Sequence, residues 1–317
     1  MIYIVCANPA LDRLLVLPTL KLDEVNRTSR VEQTVGGKGI NVARAIQNIG
    51  GHAQLYLFAG GDIGQKIITG LSQEKFSFLS WPVIGENRIT TVIHEEQTSR
   101  HTVINEDGPM VSMESALALA QTIEHTLASG DYLILSGSLP RGLRKDYYAI
   151  LIAIAQRQGA LAVLDSSGES LRVALSASPY MIKPNIREAE EALGFAILSL
   201  DDKIKAVHRF QDKGIPLVIL SDGSQGLVVG HRDEVFIIKA DNTFTSGGYA
   251  IGSGDTLVGV VVAQLSQQKD IKDAIRFGTA CGLANTYCPG AGIFDLQFAH
   301  RLMDTIIIEK YHSSKRG

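Results

Sequence analysis

The chain alternates short runs of apolar residues with longer stretches in which apolar residues recur every three or four positions. The short runs have the length and unbroken hydrophobicity of buried strands, and they occupy residues 2–7, 55–58, 132–135, 161–164 and 217–220. The stretches between them predict helices over residues 40–49, 114–127, 145–157, 202–211 and 256–265. Apolar strands that alternate with helices are typical of a parallel sheet covered on both faces. The pattern therefore predicts an α/β fold with a doubly wound, mostly parallel sheet.

Two segments depart from this alternation. Residues 14–35 read as extended chain with alternating polar residues, and residues 88–106 read as two strands joined by a polar turn near residues 96–98. Alternating polarity indicates strands with one solvent-exposed face. We therefore expect a single α/β domain over residues 1–317, with a small β-sheet lid formed by about 12–35 and 88–106.

Composition and charge narrow the class of protein. With 45% apolar residues among 317, the chain can bury a sizeable core, and its formal charge of −3 with no long basic run argues against binding to nucleic acid or a membrane surface. No window approaches the roughly 18 unbroken apolar residues of a membrane span, and the first residues do not resemble a secretory signal. Three cysteines, Cys6, Cys281 and Cys288, fit a reduced protein better than a disulfide scaffold. We expect a soluble cytoplasmic protein.

A glycine-rich turn at residues 36–39 lies between a predicted strand and a predicted helix. Gly37 and Gly39 would let backbone amides approach a ligand closely, the helix N-terminus adds partial positive charge, and Lys38 adds a full one. The turn is not a Walker A loop, because Gly39 stands where serine or threonine should follow the lysine. A tight turn with a solvated lysine is the alternative interpretation.

A second glycine-rich segment opens the helix at residues 256–265. The consecutive amides of Gly252, Ser253 and Gly254 would form an anion hole with Asp255 at its edge. Asp255 could equally be a favourable partner of the helix N-terminus. Because one α/β chain carries two such glycine-rich sites, we favour a ligand-binding role over simple helix capping. One site would bind an acceptor and the other a nucleotide.

Two further loops follow apolar runs, at residues 180–182 and 217–220. Asn185 and Glu188 have the spacing of a capping box, and the same two side chains could lie near a hydrated magnesium ion, which few protein ligands usually hold. The spacing does not separate these two roles. The loop from Ser221 to Gly226 suits a nucleotide, although by itself it is only a turn.

Taken in order, these pieces resemble the ribokinase/PfkB family of sugar kinases, and most closely its phosphosugar branch, which includes 1-phosphofructokinase and tagatose-6-phosphate kinase. The resemblance rests on residues 8–13 (NPALDR), 25–27 (VNR), 36–44 (GGKGINVAR), 136–140 (SGSLP), 183–185 (KPN) with Glu188, and 252–255 (GSGD). These segments span nearly the whole chain in the family's order.

The resemblance implies a ribokinase-like α/β domain whose lid forms a homodimer contact, ATP with Mg²⁺ as phosphoryl donor, and Asp255 as catalytic base beside the anion hole. It places sugar-hydroxyl contacts at Asp12, Gly37, Gly39 and Asn41. It places contacts to the substrate's own phosphate at Arg27, Lys38, Arg88, Arg100 and Ser138. It places ATP contacts at Lys183, Asn185, Ser221, Gly223, Gly226, Gly252, Ser253 and Gly254, and magnesium near Asn185 and Glu188 through water. The alternative for Arg27, Arg88 and Arg100 is that they are solvated residues on an exposed face of a β sheet and bind no phosphate.

One segment departs from the family pattern. The family usually has asparagine or serine followed by Thr-Val-Gly before its second motif, whereas this chain reads SGGYAIG at residues 246–252 and has Tyr249 at the asparagine or serine position. The departure puts the local nucleotide or monovalent-ion contacts in doubt. Asp255 and the anion-hole residues are nevertheless present.

The function that the resemblance implies is ATP-dependent phosphorylation of a ketohexose phosphate, with fructose 1-phosphate going to fructose 1,6-bisphosphate as first choice. Tagatose 6-phosphate is the close alternative, and fructose 6-phosphate is less favoured. A non-catalytic sugar-phosphate or nucleotide sensor on the same scaffold is a different class, supported only by the segment at 245–251. A nicotinamide-dependent dehydrogenase is disfavoured, because the first strand leads to Asn8-Pro9-Ala10 instead of G-x-G-x-x-G.

Overall fold

The apolar runs become neighbouring strands of one large sheet in the computed structural model, which describes residues 1–28, 30–98, 100–241 and 248–311. The strands are β1 (Ile2–Cys6), β2 (Ala10–Leu17), β3 (Arg30–Gly36), β4 (Gln54–Ala59), β5 (Ser77–Pro82), β6 (Arg88–Glu95), β7 (Arg100–Asn105), β8 (Tyr132–Ser136), β9 (Leu161–Asp165), β10 (Met181–Ile182), β11 (Leu217–Ser221), β12 (Leu227–His231), β13 (Glu234–Ala240) and β14 (Ile306–Lys310). The α-helices are α1 (Lys38–Asn48), α2 (Gly61–Gln73), α3 (Met113–Thr126), α4 (Tyr147–Arg157), α5 (Gly168–Ala174), α6 (Ile186–Leu193), α7 (Leu200–Gln211), α8 (Ser253–Ser266), α9 (Ile271–Asn285) and α10 (Leu296–Met303).

The large sheet has ten strands in the order β14-β13-β12-β11-β10-β9-β8-β1-β4-β5. All pairs from β5 to β11 are parallel, and the three pairs from β11 to β14 are antiparallel. The mostly parallel α/β sheet expected from the sequence is confirmed.

Each face of the large sheet is covered by its own layer of helices. Along β1, Ile2, Ile4 and Cys6 join a core with α1, α2, α8, α9 and α10, whereas Tyr3 and Val5 join a core with α3 to α7. Strands buried on both faces need apolar residues throughout, which explains the unbroken runs. Helix α8 is apolar nearly all round because α1 and α9 pack against it.

A separate four-stranded sheet, here called the lid sheet, has the order β3-β2-β6-β7. Strands β2 and β6 are parallel, while β3 and β7 pair antiparallel at its two edges. The small sheet expected from the sequence is therefore present, with β2 beginning at Ala10 and β3 ending at Gly36. Its role as a lid stays a prediction.

Among the residues that the structure describes, no helix combines the length and hydrophobicity that crossing a membrane requires.

Candidate active site

Polar residues lie at, or just after, the carboxyl ends of five neighbouring parallel strands. Strands β11, β10, β9, β8 and β1 are adjacent in the sheet, so the residues at their ends meet at one edge. These residues are Ser221, Lys183, Asp165, Ser138 and Asn8. The topology thus gathers residues from distant parts of the chain into one cleft.

The turn before α8 requires glycine at position 252. Gly252 has φ of 83°, and a Cβ atom there would lie 2.3 Å from the Cβ atom of Ala291. Amides in the first helical turn have no partner within the helix, so they are available to an anion. The Ser253 amide already donates to the Ala250 carbonyl over 3.3 Å. The amides of residues 254 and 255 are therefore the main donors of this hole.

Asp255 lies in the first turn of α8, but its side chain does not cap that helix. The carboxylate is 7% exposed, and its Oδ2 accepts a hydrogen bond from Asn41 Nδ2 of α1 over 2.8 Å. Burial raises the pKa of Asp255 to about 6, although Lys38 and the Asn41 hydrogen bond oppose this rise. A carboxylate with this pKa, next to an anion hole, is suited to act as a general base near neutral pH.

A buried carboxylate that the sequence patterns did not single out lies beside two predicted site lysines. Asp165, the last residue of β9, has its Oδ1 3.3 Å from Lys38 Nζ and 3.4 Å from Lys183 Nζ. Burial works to raise the pKa of the Asp165 carboxyl, but the two lysines outweigh it and hold the pKa below its ordinary value. In turn, Asp165 raises the pKa of Lys38. The available signal was an acidic residue directly after an apolar strand.

The capping interpretation of Asn185 and Glu188 holds. Asn185 Oδ1 accepts from the Glu188 amide and Glu188 Oε2 accepts from the Asn185 amide, each over 2.9 Å. The other oxygen of Glu188 lies 3.9 Å from Lys38 Nζ, facing the same cleft as Asp165.

The donor set of this part of the cleft fits a hydrated magnesium ion. Within the described ranges, no three His, Cys, Asp or Glu side chains are grouped to hold a metal by themselves. However, Asp165 Oδ2 is buried without a hydrogen-bond partner, and Glu188 presents a second carboxylate oxygen nearby. Magnesium prefers oxygen ligands and usually keeps several waters, so two carboxylates and ATP phosphates would suffice.

The loop after β11 lies beside these residues. The Ser221 amide donates to the Pro184 carbonyl over 2.9 Å, which ties the end of β11 to the segment between Lys183 and Asn185. A short 3-10 helix, Gly223–Gln225, follows, and Gly226 closes the turn by accepting from the Asp222 amide. The predicted ATP residues of segments 183–185 and 221–226 are thus neighbours in space.

Asp12 and Arg88 bring the lid sheet to the other side of the cleft. A Cβ atom at Gly36 would lie only 1.9 Å from Asp12 Oδ2, so a larger residue there would displace this carboxylate from the turn. Burial raises the pKa of Asp12 to about 6, with the Arg88 and Arg44 charges opposing it. Arg88 donates from Nε and Nη2 to the Asn8 carbonyl over 3.2 and 3.1 Å.

The turn after β8 lies next to the same end of β1. Asn8 Nδ2 donates to Ser138 Oγ over 3.2 Å, and the Gly137 amide donates to the Asp165 carbonyl over 2.9 Å. Ser138, Asn8 and Arg88 therefore form one polar wall, and Lys38 lies beside it, since a Cβ atom at Gly137 would be 3.7 Å from that of Lys38.

The structure does not bring the three predicted arginines together within one chain. Arg100 is paired with Glu95 at 3.1 Å. Glu95 lies seven residues beyond Arg88 along β6, a separation of about 23 Å in an extended strand, so Arg100 lies far from Arg88. Arg27 is exposed, next to Thr28, whose hydroxyl donates to Val16 near that same distant end. Arg100 lies on an exposed strand, and Arg27 lies in the exposed connection before β3. Contact of either arginine with a bound phosphate in the same chain is not supported.

Tyr249 links the segment before the anion hole to the lid sheet. Its ring centroid lies 5.6 Å from that of His94 and 6.0 Å from that of His101, and these two rings stack at 4.5 Å. The Tyr249 amide donates to the Thr286 carbonyl. Residues 246 and 247 of the unusual segment lie outside the described residues. The tyrosine found at the family's asparagine or serine position thus contacts the lid sheet.

We expect Tyr249→Ser to loosen the lid sheet, because aromatic pairs contribute about 0.5–1.5 kcal/mol beyond the area they bury. Amide hydrogen exchange in β6 and β7 should become about 2- to 10-fold faster, as measured by mass spectrometry on the free protein. Tyr249→Phe is the matched control and should exchange like the wild type. Unchanged exchange in the serine variant would contradict the link.

The chain is similar to known carbohydrate kinases over most of its length. The model of the family described as pfkB family carbohydrate kinase matches residues 4–297. A tagatose-6-phosphate kinase of Staphylococcus epidermidis is 32% identical over 291 residues, which cover 90% of this chain and 92% of that protein.

Solved structures share the fold over almost the full length. Phosphofructokinase-2 from Escherichia coli, in complex with substrates and products, has a TM-score of 0.89 at 26% identity and covers 96% of this chain and 98% of its own. The tetrameric inhibited form of the same enzyme has a TM-score of 0.88, with 26% identity and the same coverage. The match to the family model extends over most of the chain, and the chain belongs to the pfkB family of carbohydrate kinases.

Proposed function

We propose that this kinase transfers a phosphoryl group from ATP to a hydroxyl of a ketohexose phosphate, with Asp255 as the general base. The observation that supports this most is the buried carboxylate of Asp255 at an anion hole, between the lysine-bearing turn and the lid sheet. Fructose 1-phosphate is our first choice of acceptor. The relative at 32% identity favours tagatose 6-phosphate as the second.

The chemistry needs an aligned acceptor oxygen and neutralisation of the charge on the moving group. Asp255 accepts the proton of the attacking hydroxyl, which Asp12 and Asn41 orient. The amides of residues 254 and 255 donate to the developing negative charge; one such donor contributes on the order of 10²–10³ in rate. Lys183 adds positive charge beside the nucleotide phosphates. Asp165 and Glu188 would hold hydrated magnesium, which when bound neutralises ATP phosphates.

The phosphate already on the acceptor would be bound by Arg88, Lys38 and Ser138. Arg88 reaches this wall from the lid sheet, so closing that sheet over the sugar would complete the site. Arginine presents a planar set of donors that matches phosphate oxygens in pairs.

The lid sheet also supports the proposal of a homodimer. Leu22 and Val25 in the connection between β2 and β3 are 83% and 78% exposed, and Val103 on β7 is 46% exposed. Clustered exposed apolar residues are typical of surfaces that meet a partner. A second copy of this chain, paired lid to lid, would cover them.

The test of the proposed function is ATP consumption, which a coupled assay measures as ADP release. Fructose 1-phosphate, tagatose 6-phosphate, fructose 6-phosphate and the unphosphorylated sugars are the acceptors to screen, with Asp255→Asn as the matched blank. We expect the highest turnover with a phosphorylated ketohexose. Binding of a sugar phosphate without ADP release from any acceptor would overturn the kinase proposal and favour the sensor.

Arg88→Met should weaken binding of phosphorylated acceptors selectively. Losing hydrogen bonds to a charged group costs about 1.5–3 kcal/mol, so we expect KM for the sugar phosphate to rise about 10- to 100-fold. KM for an unphosphorylated sugar should change little. Arg100→Met is the matched control and should leave both values unchanged. Steady-state kinetics with both acceptors would reject the assignment if Arg88→Met affected them equally.

A further inference from the structure

We infer that Arg44 is a positioning residue that holds Asn41, and through it Asp255, in the geometry that the reaction requires. This inference rests on the proposed role of Asp255 as general base. Arg44 lies on α1, one turn beyond Asn41, and its side chain is 11% exposed. The sequence patterns assign it no role of its own.

Each of the five N–H groups of Arg44 has an acceptor. Nε and Nη2 donate to the two carboxylate oxygens of Glu74 over 2.7 and 3.0 Å, and Nη2 also donates to the Val35 carbonyl over 2.8 Å. Nη1 donates to Asn41 Oδ1 over 3.3 Å and to the Ala291 carbonyl over 3.0 Å. Lysine has three donors around one nitrogen and cannot reproduce this planar arrangement.

The Arg44 contact determines which way the Asn41 amide faces. With Oδ1 on the guanidinium, Nδ2 points to Asp255 Oδ2 and donates over 2.8 Å. A flipped amide would oppose donor to donor at Arg44 and acceptor to acceptor at Asp255. Arg44 therefore maintains Asn41 as a donor to the base.

The same guanidinium ties together two segments that shape the anion hole. The Ala291 carbonyl accepts from Arg44, and the Ala291 backbone packs against Gly252, with only 2.5 Å between its Cα atom and the position of a Cβ atom at residue 252. The Val35 carbonyl belongs to the strand that leads into the glycine-rich turn. Arg44 thus bridges the turn before α1 and the segment behind the turn before α8.

Arg44 is not among the largest influences on the pKa of Asp255, and the hydrogen bonds on the page connect it to that carboxylate through Asn41. The titratable groups that face Asp255 are Lys38, Lys183, Asp165, Asp12 and Cys6. Without Arg44, the Asn41 amide is free to rotate, and Asp255 loses its donor intermittently. A hydrogen bond to the ionised carboxylate stabilises that form, so its loss raises the pKa of Asp255.

The experiment compares Arg44→Met and Arg44→Lys with the wild type, and uses Arg157→Met as a control because Arg157 also pairs with a glutamate, at the surface. The pKa of Asp255 is read from the ¹³C chemical shift of its Cγ, assigned with Asp255→Asn. We expect both Arg44 variants to raise this pKa by about 0.5–1 unit, the equivalent of one hydrogen bond. They should lower kcat about 10- to 100-fold and change KM for ATP less than about two-fold.

Two outcomes would overturn the inference. If Arg44→Lys left the pKa of Asp255 at its wild-type value, the charge alone would matter. If the pKa were higher in Arg44→Met combined with Asn41→Leu than in Asn41→Leu alone, Arg44 would not act through Asn41. Should Arg44→Met fail to fold by near-ultraviolet circular dichroism, Arg44→Lys with and without Asn41→Leu gives the same comparison. The titration needs no turnover, so an inactive wild type would contradict the proposed function and leave this test intact.

Discussion

Asp255→Asn is expected to lower kcat by at least about 10²-fold while ATP binding is retained. A positioned general base contributes about 10²–10⁴-fold, and asparagine cannot accept the proton of the attacking hydroxyl. The change keeps the size of the side chain and an oxygen that can accept from Asn41. Stopped assays of ADP formation and equilibrium titration with ATP would measure the two effects separately.

The pH dependence gives a second readout of the same residue. Because burial raises the pKa of Asp255 to about 6, wild-type kcat should fall as the pH drops through 6 and the base takes up a proton. A carboxyl whose pKa is raised by folding stabilises the fold below its ordinary pKa of 3.8 and loses that contribution as pH rises through 6. Asp255→Asn should therefore melt no lower than the wild type at pH 7.5. Near-normal turnover in the variant would remove Asp255 from the mechanism.

Asp165→Ala is expected to be the most destabilising of these substitutions. It removes the carboxylate that pairs with Lys183, whose side chain is 7% exposed, and leaves Glu188, at 3.9 Å, as the remaining ion-pair partner of Lys38 in the described part of the chain. Removing one member of a buried ion pair typically costs about 3–5 kcal/mol. Lys38 is 36% exposed and can be hydrated in part, so we expect about 3 kcal/mol in urea unfolding followed by circular dichroism.

The control for this prediction is Asp146→Ala, which removes the partly exposed partner of the exposed Arg144 and should change the free energy of unfolding by less than about 1 kcal/mol. Because the lysines lower the pKa of Asp165, its stabilising contribution is present above the ordinary value of 3.8 and is lost as pH falls through the lower value. The difference from the wild type should therefore shrink in strong acid. Equal costs for Asp165→Ala and Asp146→Ala would contradict the buried cluster.

The sequence predicts the elements whose burial is uniform. The five predicted strands all lie in the parallel part of the sheet, where the short strand β10 separates β11 from the other four. Helix α8 extends the predicted helix by three residues at its start, where the glycine-rich turn becomes helical. Strand β10 is missed because it has only two residues, Met181 and Ile182, which are too few to show a repeating pattern of apolar positions. Strand β5 is missed because it is an edge strand with a largely exposed surface.

The candidate site is predictable where the chemistry lies in one short segment. Gly252 and Asp255 stand together in the sequence, as do Asn185 and Glu188. Asp165 was overlooked because its meaning comes from Lys38, which is 127 residues away along the chain. The placement of Arg100 depends on the register between β6 and β7, which the alternating pattern of residues 88–106 does not specify.

The bond between Arg44 and the Ala291 carbonyl, together with the packing of Ala291 on Gly252, also constrains biosynthesis. A ribosome adds residues in order, so residue 291 is added after both glycine-rich turns. Until then the turn before α8 lacks the packing of Ala291 on Gly252, and Arg44 lacks the Ala291 carbonyl as an acceptor. Chains that lack residue 291 should therefore be unable to transfer phosphate from ATP, even when most of the central sheet has already formed.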